Sequence, residues 1–272
     1  MKATILFGSL IVFIYFYFAV AQIYIPTKEL TELGFSWSNP SGIITYPFAH
    51  VGLKHLFANL VVFLPIAYIV ERKLNFNHFS ALFFFSGAAG AIAFETLYPN
   101  AYLVGASAAI SGLIAVAIFI DLKKSLIALI VSSLAIYFMA PLLEDYTKQK
   151  YESLSKDVEK IENQTKEINK EIEIAISQNK TEEVKVLRKK YAELTSTLNQ
   201  TINLKVVVGT GIEREKQAKS SVIVHLCGAI VGITYLFSFR QDIIDEFLEN
   251  FRRKYGRVFS KRTSGRIREA KK

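Results

Sequence analysis

Residues 102–120 read YLVGASAAISGLIAVAIFI, an apolar stretch in which small residues surround the hydroxyl of Ser107. About 20 apolar residues cross the ~30 Å hydrocarbon core of a bilayer as a helix, so this stretch is typical of a membrane span. A second apolar stretch carries His225, and a third carries two histidines and Asn59. Polar side chains within membrane spans are costly, which makes each of them a candidate functional residue.

The composition indicates a polytopic membrane protein. Of the 272 residues, 51% are hydrophobic and 21 are phenylalanine, and the mean hydropathy is +0.27, which is more apolar than a typical soluble domain. The single cysteine, Cys227, cannot form an internal disulfide and is interpreted as a packing residue. Six apolar stretches have about the length of a span, and they cover residues 3–25, 47–70, 78–98, 102–120, 125–143 and 219–239.

The first stretch has a second interpretation as a secretory signal peptide. Lys2 precedes it, and the Ala-Val-Ala sequence at residues 19–21 resembles a cleavage site. However, its apolar part is longer than a usual signal core, and six spans fit the charge pattern better than five. We therefore interpret the first stretch as a membrane span.

The distribution of basic residues orients the predicted spans, because cytoplasmic loops carry an excess of Lys and Arg. Basic residues follow the second, fourth and sixth stretches: Arg72 and Lys73, Lys123 and Lys124, and the tail over residues 240–272. We expect a multi-pass cell-membrane protein with both termini in the cytoplasm and residues 144–218 on the extracytoplasmic side. The tail is expected to lie at anionic lipid headgroups rather than on nucleic acid, since it contains no recognisable nucleic-acid-binding module.

Residues 144–218 differ sharply from the rest of the chain, because they are highly charged and contain no proline. Apolar residues recur there at alternating intervals of four and three on both sides of a polar turn at residues 177–181, which predicts an antiparallel coiled-coil hairpin. The two seams are Leu154, Val158, Ile161, Thr165, Ile168 and Ile172, and Val184, Leu187, Tyr191, Leu194 and Leu198. The alternative is one long solvated helix, which would leave its apolar stripe in water.

The hairpin segment also contains three Asn-x-Thr sequons, at Asn163, Asn179 and Asn199. Asn and Thr are common in polar helices, so the pattern is weak evidence by itself. The predicted extracytoplasmic location of the segment makes the three residues candidate N-glycosylation sites.

These patterns predict an all-α polytopic membrane protein with an inserted extracytoplasmic coiled-coil hairpin. Residues 1–143 would hold the first five transmembrane helices, and residues 144–218 the hairpin. The sixth transmembrane helix would cover residues 219–239, and residues 240–272 would form a basic cytoplasmic tail.

The polar residues of the second, fourth and sixth spans are predicted to lie near one membrane face. At 1.5 Å per residue, Ser107 and His225 both lie ~8–9 Å inside their spans. On a continuous second helix, His55 and Asn59 share a face while His50 points elsewhere. A serine becomes a nucleophile when a base takes its proton, and His225 is the candidate base. The side chains of His55 and Asn59 and the backbone N–H of Ser107 are candidate donors to the oxyanion.

Other kinds of site fit these residues less well. No carboxylate that could be the third member of a catalytic triad lies at this depth, so a Ser–His dyad is favoured over a triad. A transporter with a histidine-lined proton path would need intramembrane carboxylates, and Glu95 is the only further candidate. A metal site is disfavoured, because the chain has no HExxH sequence and the two histidines of the second span are expected on different faces. The spacing of Gly228 and Gly232 by itself indicates close helix packing.

Three motifs together resemble those of the rhomboid intramembrane serine proteases. In chain order they are His50-x4-His55-x3-Asn59, Gly105-Ala106-Ser107 and His225-x2-Gly228-x3-Gly232. The resemblance covers the six-span core and excludes the hairpin and the tail. It implies a catalytic dyad of Ser107 and His225, an oxyanion site of His55, Asn59 and Ser107, and supporting roles for His50, Gly105, Gly228 and Gly232. It also implies membrane-protein substrates, single-pass or polytopic, cleaved near their extracytoplasmic end, with no metal and no cofactor.

The chain departs from the family pattern at two positions beside the serine. Ala108 stands where the family usually has glycine, and Ser111 stands where many members have an aromatic residue. The alternative function is therefore a catalytically impaired rhomboid-like protein that binds membrane clients. The complete Ser, His and Asn set favours the enzyme. We hypothesise that the hairpin moves with the substrate gate, recruits substrates or mediates self-association.

Overall fold

The computed structural model describes residues 1–19, 23–99, 101–217 and 222–253. These residues form helices and contain no β-strand, only isolated bridges, so the predicted all-α fold class is confirmed. The α-helices are α1 (Lys2–Phe18), α2 (Thr27–Leu33), α3 (Gly42–Thr45), α4 (Leu53–Glu71), α5 (Phe76–Leu97), α6 (Ser107–Ile120), α7 (Leu122–Ser177), α8 (Thr181–Gln217) and α9 (Val222–Phe239). A 3-10 turn at Tyr46–Phe48 follows α3, and residues 241–253 form a further helix.

Several of these helices have the length and composition of membrane spans. Among the described residues, four helices are long and apolar enough to cross a bilayer, namely α4, α5, α7 and α9. The apolar helices α1 and α6 are shorter, with 17 and 14 residues. The length and composition of these helices support a multi-pass membrane protein, and the count of six spans stays a prediction.

The first two predicted spans have different bounds in the structure. Helix α1 ends at Phe18 rather than at residue 25, and α4 begins at Leu53 rather than at residue 47. The segment after α1 and the segment before α4 pair with each other through their backbones instead of continuing the two helices. The N–H of Leu53 donates to the carbonyl of Ile23 at 3.1 Å, and the N–H of Ile25 donates to the carbonyl of Val51 at 3.2 Å.

The fourth predicted span also begins later than expected. Leu103 exchanges two backbone hydrogen bonds with Phe35, both 3.1 Å long, which keeps this part of the stretch extended. Gly105 has a φ of +107°, a conformation that favours glycine, and the chain turns there into α6. Ser107 is therefore the first residue of α6, so the helix begins about five residues later than the predicted span. The depth of Ser107 in the membrane stays a prediction. The predicted start of the sixth span, residue 219, lies outside the described residues.

Close packing of α5, α6 and α9 forms the centre of the bundle. A methyl group added to Gly90 of α5 would lie 2.5 Å from the Ala108 Cβ and 3.1 Å from the Val224 Cγ1. The three helices therefore meet at one glycine. Beside them, the ring of Phe7 stacks on that of Phe83 with centroids 4.9 Å apart, which packs α1 against α5.

Helix α4 is tied to the start of α1 by Glu71. Its carboxylate accepts hydrogen bonds from the backbone N–H groups of Ala3 and Thr4, at 2.8 and 3.1 Å. It also accepts one from the Thr4 hydroxyl at 2.6 Å. The first N–H groups of a helix have no partner within the helix, so Glu71 caps α1 from the neighbouring helix.

Replacing Glu71 by alanine is expected to destabilise the bundle by about 2–4 kcal/mol, because three donors lose a charged acceptor. Thermal unfolding of the purified protein in detergent measures the effect. Thr4→Ser keeps the hydroxyl and is expected to unfold close to the wild-type temperature. Equal unfolding temperatures for Glu71→Ala and the wild type would contradict the assigned cap.

Helices α7 and α8 form a long hairpin. Helix α7 continues without a break past residue 144, the predicted domain boundary, and α8 packs along it in the reverse direction. The chain reverses at residues 178–180, where Asn179 has a φ of +54°. The seam residues Leu154, Val158, Ile168 and Ile172 are each at most 8% exposed. The packing agrees with the predicted seam, while the coiled-coil geometry stays a prediction.

The three sequon asparagines all lie on the surface of this hairpin. Asn163 lies on α7, Asn179 in the turn and Asn199 on α8, and all three side chains are exposed. Their use as glycosylation sites stays a prediction.

Candidate active site

The second and fourth apolar stretches meet at the end of the bundle where α4, α6 and α9 begin, which we call the site end. A methyl group added to Gly105 would lie 2.7 Å from the His55 Cε1 and 2.8 Å from the His55 Nε2. The His55 ring therefore packs directly on the turn that leads into Ser107. The structure thus brings together two of the three motifs singled out in the sequence.

The third motif joins them through the contact of α9 with α6. A methyl group added to Gly228 would overlap the carbonyl oxygen of Ala108, and one added to Gly232 would lie 2.5 Å from the carbonyl oxygen of Gly112. The two backbones therefore touch, as small residues at helix interfaces allow. This contact lies one residue after Ser107 and about one turn after His225, so it holds the two candidates at the same level.

Ser107 and His225 are both half-buried at this level. Both residues belong to the described part of the chain, and the Ser107 hydroxyl forms no direct hydrogen bond with the His225 ring. Catalytic hydrogen bonds are often long before substrate binds and tighten in the complex, so this arrangement is compatible with a dyad.

His50 lies beside His55 and not on α4. It follows the 3-10 turn and precedes α4, so the prediction that it points away from His55 is wrong, because that prediction assumed one continuous helix. The two ring centroids are 5.0 Å apart. His50 is fully buried, its Nδ1 lies 3.3 Å from the carbonyl oxygen of Phe48, and its Nε2 has no partner. Within the described ranges, no group of three or more His, Cys, Asp or Glu residues is arranged to hold a metal ion.

Asn59 follows His55 by one turn of α4 and is 6% exposed. Its amide donates one hydrogen bond to the carbonyl of His55, with Nδ2 and O 3.0 Å apart. A side-chain amide carries two N–H groups, so a second donor remains. Ser107 adds the backbone N–H of the first residue of α6, which has no acceptor within its helix.

The two residues that depart from the rhomboid pattern are accommodated by their neighbours. Ala108 is buried with its Cβ against Gly90 of α5, which supplies the space for the methyl group. The Ser111 hydroxyl donates to the backbone carbonyl of Ser107 at 2.9 Å, so it is satisfied within its own helix.

Residues 37–148 match the family model of the Rhomboid domain. This segment of the chain is similar to a Rhomboid domain. The predicted resemblance to the rhomboid family is confirmed, and it supports an intramembrane-protease-like function. The matched rhomboid segment contains His55, Asn59 and Ser107 and ends within α7, before α9 and His225. A search of curated proteins and a search of solved structures returned no match.

The candidate site has a further contact that the sequence motifs did not indicate. Glu215 of α8 reaches the first turn of α4, where the Tyr24 hydroxyl donates to its Oε2 at 2.9 Å. Neither residue belongs to a sequence motif. From the sequence alone, Glu215 could be any surface carboxylate and Tyr24 any tyrosine of a loop. Gly52 and Gly211 both leave space for the Tyr24 ring, but this role is visible only in the structure.

Proposed function

We propose that the protein is an intramembrane serine endopeptidase that uses Ser107 and His225 as a catalytic dyad. The observation that carries the proposal is the packing of His55 on Gly105. Together with the contact between α6 and α9, it gathers the hydroxyl, the imidazole base and the polar groups of α4 at the site end.

In the proposed reaction, the Ser107 Oγ attacks the carbonyl carbon of a substrate amide while His225 takes the hydroxyl proton. The carbon–nitrogen bond then breaks, and His225 returns the proton to the leaving amine. A water molecule, activated by the same histidine, hydrolyses the resulting ester and regenerates the serine.

Three donors would stabilise the oxyanion of the tetrahedral intermediate. They are the His55 side chain, the second N–H of the Asn59 amide and the backbone N–H of Ser107. Donors that are fixed before the reaction need no rearrangement as the charge develops, which is why such sites accelerate acyl transfer. The contacts of His55 with Gly105 and of Asn59 with the carbonyl of His55 support this role.

The basic residues at the end of the bundle opposite the site end support an orientation with the site end extracytoplasmic. At the opposite end, the Arg240 guanidinium donates to the carbonyl of Lys73 at 2.8 Å, and the Lys73 ammonium pairs with Glu246 at 2.7 Å. This basic end would be cytoplasmic by the positive-inside rule. The hairpin would then be extracytoplasmic, and substrates would be transmembrane helices that unwind near their outer end. Residues 254–272, proposed to bind anionic headgroups, lie outside the described residues.

Labelling with a serine-reactive fluorophosphonate tests the proposal. We expect wild-type protein in detergent to be labelled, and Ser107→Ala and His225→Ala to react at least about 10³-fold more slowly. Ser111→Ala is the matched control, because it removes a hydroxyl one turn further along the same helix and is expected to keep the wild-type rate.

Labelling that survives Ser107→Ala would exclude this residue as the nucleophile. A folded wild-type protein that remains unlabelled, while an active rhomboid protease is labelled in parallel, would favour the client-binding alternative.

A further inference from the structure

The helix that carries His55 and Asn59 has a cap that comes from the hairpin. The residue before α4 is Gly52, which has no side chain to accept a hydrogen bond from the first turn. The N–H of His55 donates instead to the Glu215 Oε1 on α8, with an N···O distance of 3.4 Å. A negative group at the start of a helix also interacts favourably with the helix dipole.

The same carboxylate holds the connection between α1 and α2. Its Oε2 accepts the hydroxyl hydrogen of Tyr24 at 2.9 Å, and the Tyr24 side chain is 1% exposed. Burial, followed by the charge of Glu215, raises the pKa of the Tyr24 phenol, so it stays a donor at neutral pH. Tyr24 and Gly52 also form an isolated β-bridge. Glu215 thus joins three segments at the site end.

Two glycines leave space for the contact between Glu215 and Tyr24. A methyl group added to Gly52 would overlap the Tyr24 ring and lie 2.7 Å from the Glu215 Oε1. A methyl group on Gly211, one turn before Glu215 on α8, would also overlap the Tyr24 ring. The ring therefore lies between two glycines, and larger residues would move α8 away from α4.

The hairpin makes further polar contacts around this carboxylate. Lys54, next to His55, lies with its Nζ 3.8 Å from the Glu144 Oε2 of α7, and Arg214 of α8 donates to the Thr27 hydroxyl at the start of α2. Both arms therefore contact the first turns of core helices. Salt bridges this exposed contribute little by themselves, which makes the partly buried Glu215 contact the stronger connection.

We propose that Glu215 is a positioning residue that caps α4 from the hairpin and thereby holds His55 over Gly105. Glu215 accepts the N–H of His55, whose side chain is one of the three proposed oxyanion donors, so the cap acts on a residue that takes part in the chemistry. The inference rests on the proposed function for its effect on catalysis. The hairpin then sets the geometry of the site through α8, in addition to any contact it makes with substrates.

The test compares Glu215→Gln with Glu193→Gln in the full-length protein. Glu193 is an exposed carboxylate on the same helix, away from the site end. Two readouts are used: cleavage of a transmembrane-helix substrate, analysed as kcat and KM, and hydrogen exchange of the backbone amides of residues 53–56 in detergent. Glu215→Gln keeps the size and one acceptor oxygen while it removes the charge.

We expect Glu215→Gln to lower kcat by about tenfold with KM within about twofold of the wild type, since displacing a reacting group by 1 Å costs up to about 10²-fold. Exchange at the start of α4 should become about two- to fivefold faster, in line with the loss of a charge at a helix end. Glu193→Gln should match the wild type in both measurements.

If the amides of residues 53–56 exchanged at the wild-type rate in Glu215→Gln, the proposed capping role of Glu215 would be wrong. This measurement does not need an active enzyme. A raised KM with unchanged kcat would also overturn the inference, because it would assign Glu215 to substrate binding. Absence of Ser107 labelling in the wild type would instead contradict the proposed function, while the exchange data still decide the cap.

Discussion

Gly105→Ala is expected to lower proteolysis by about 10²–10³-fold, the usual effect of losing one oxyanion donor. Gly105 has a φ of +107°, which side-chain-bearing residues rarely adopt. The added methyl group would also lie 2.7–2.8 Å from two atoms of the His55 ring. Either the turn into α6 or the His55 ring must move, and both carry proposed donors. The measurement is kcat/KM for a transmembrane-helix substrate, with the unfolding temperature recorded in parallel.

The matched control for Gly105→Ala is Gly8→Ala in α1. Gly8 is also a buried glycine of an apolar segment, but a methyl group there would meet only side-chain atoms at 3.4 Å or more, which is ordinary contact. We expect Gly8→Ala to keep near-wild-type activity. If Gly105→Ala were equally active, the packing of His55 on the turn before Ser107 would have no part in catalysis.

The sequence predicts well those features that depend on local spacing. Residues four apart share a helix face, and His55 and Asn59 accordingly lie on one face of α4, joined by a hydrogen bond. The spacing of Gly228 and Gly232 predicted a close helix contact, and both glycines lie against the backbone of α6. These features follow from helix geometry alone, so hydropathy and motifs are sufficient to find them.

Predictions failed where distant segments determine local conformation. His50 was placed on α4 because residues 47–70 are apolar, but the pairing of Ile25 with Val51 and of Leu53 with Ile23 keeps the chain extended there. Likewise, the bridge between Phe35 and residue 103 delays α6 until Ser107. Hydropathy indicates which residues are buried but not their hydrogen-bond partners, so the starts of α4 and α6 could not be derived from it.

Glu215 illustrates a second limit. In the sequence it belongs to the charged hairpin segment, where a carboxylate is usually solvated. Its contact with the N–H of His55 depends on where α8 returns to the bundle, and this placement is a property of the tertiary structure. The absence of a capping side chain at Gly52 becomes informative only when the start of α4 is known.

Gly228→Ala is expected to remove most proteolytic activity and to destabilise the bundle by about 1–3 kcal/mol, the usual cost of overpacking a core. The added methyl group would overlap the Ala108 carbonyl oxygen and lie 3.0 Å from its carbon. Backbone atoms cannot rotate away as a side chain can, so α9 must shift relative to α6. His225 would then move away from Ser107, and a displacement of 1 Å is enough to slow the reaction by about 10²-fold.

Cys227→Ala provides the control for this prediction, since it removes a half-buried side chain at the neighbouring position of α9 without adding volume. We expect it to keep the fluorophosphonate labelling rate, while Gly228→Ala loses at least about 10²-fold. Gly232→Ala should cause a smaller loss of labelling than Gly228→Ala. Its added methyl group would meet the Gly112 backbone at 2.5 Å or more, about one turn further from the dyad. Equal labelling of Gly228→Ala and the wild type would show that the contact between α6 and α9 does not set the distance from His225 to Ser107.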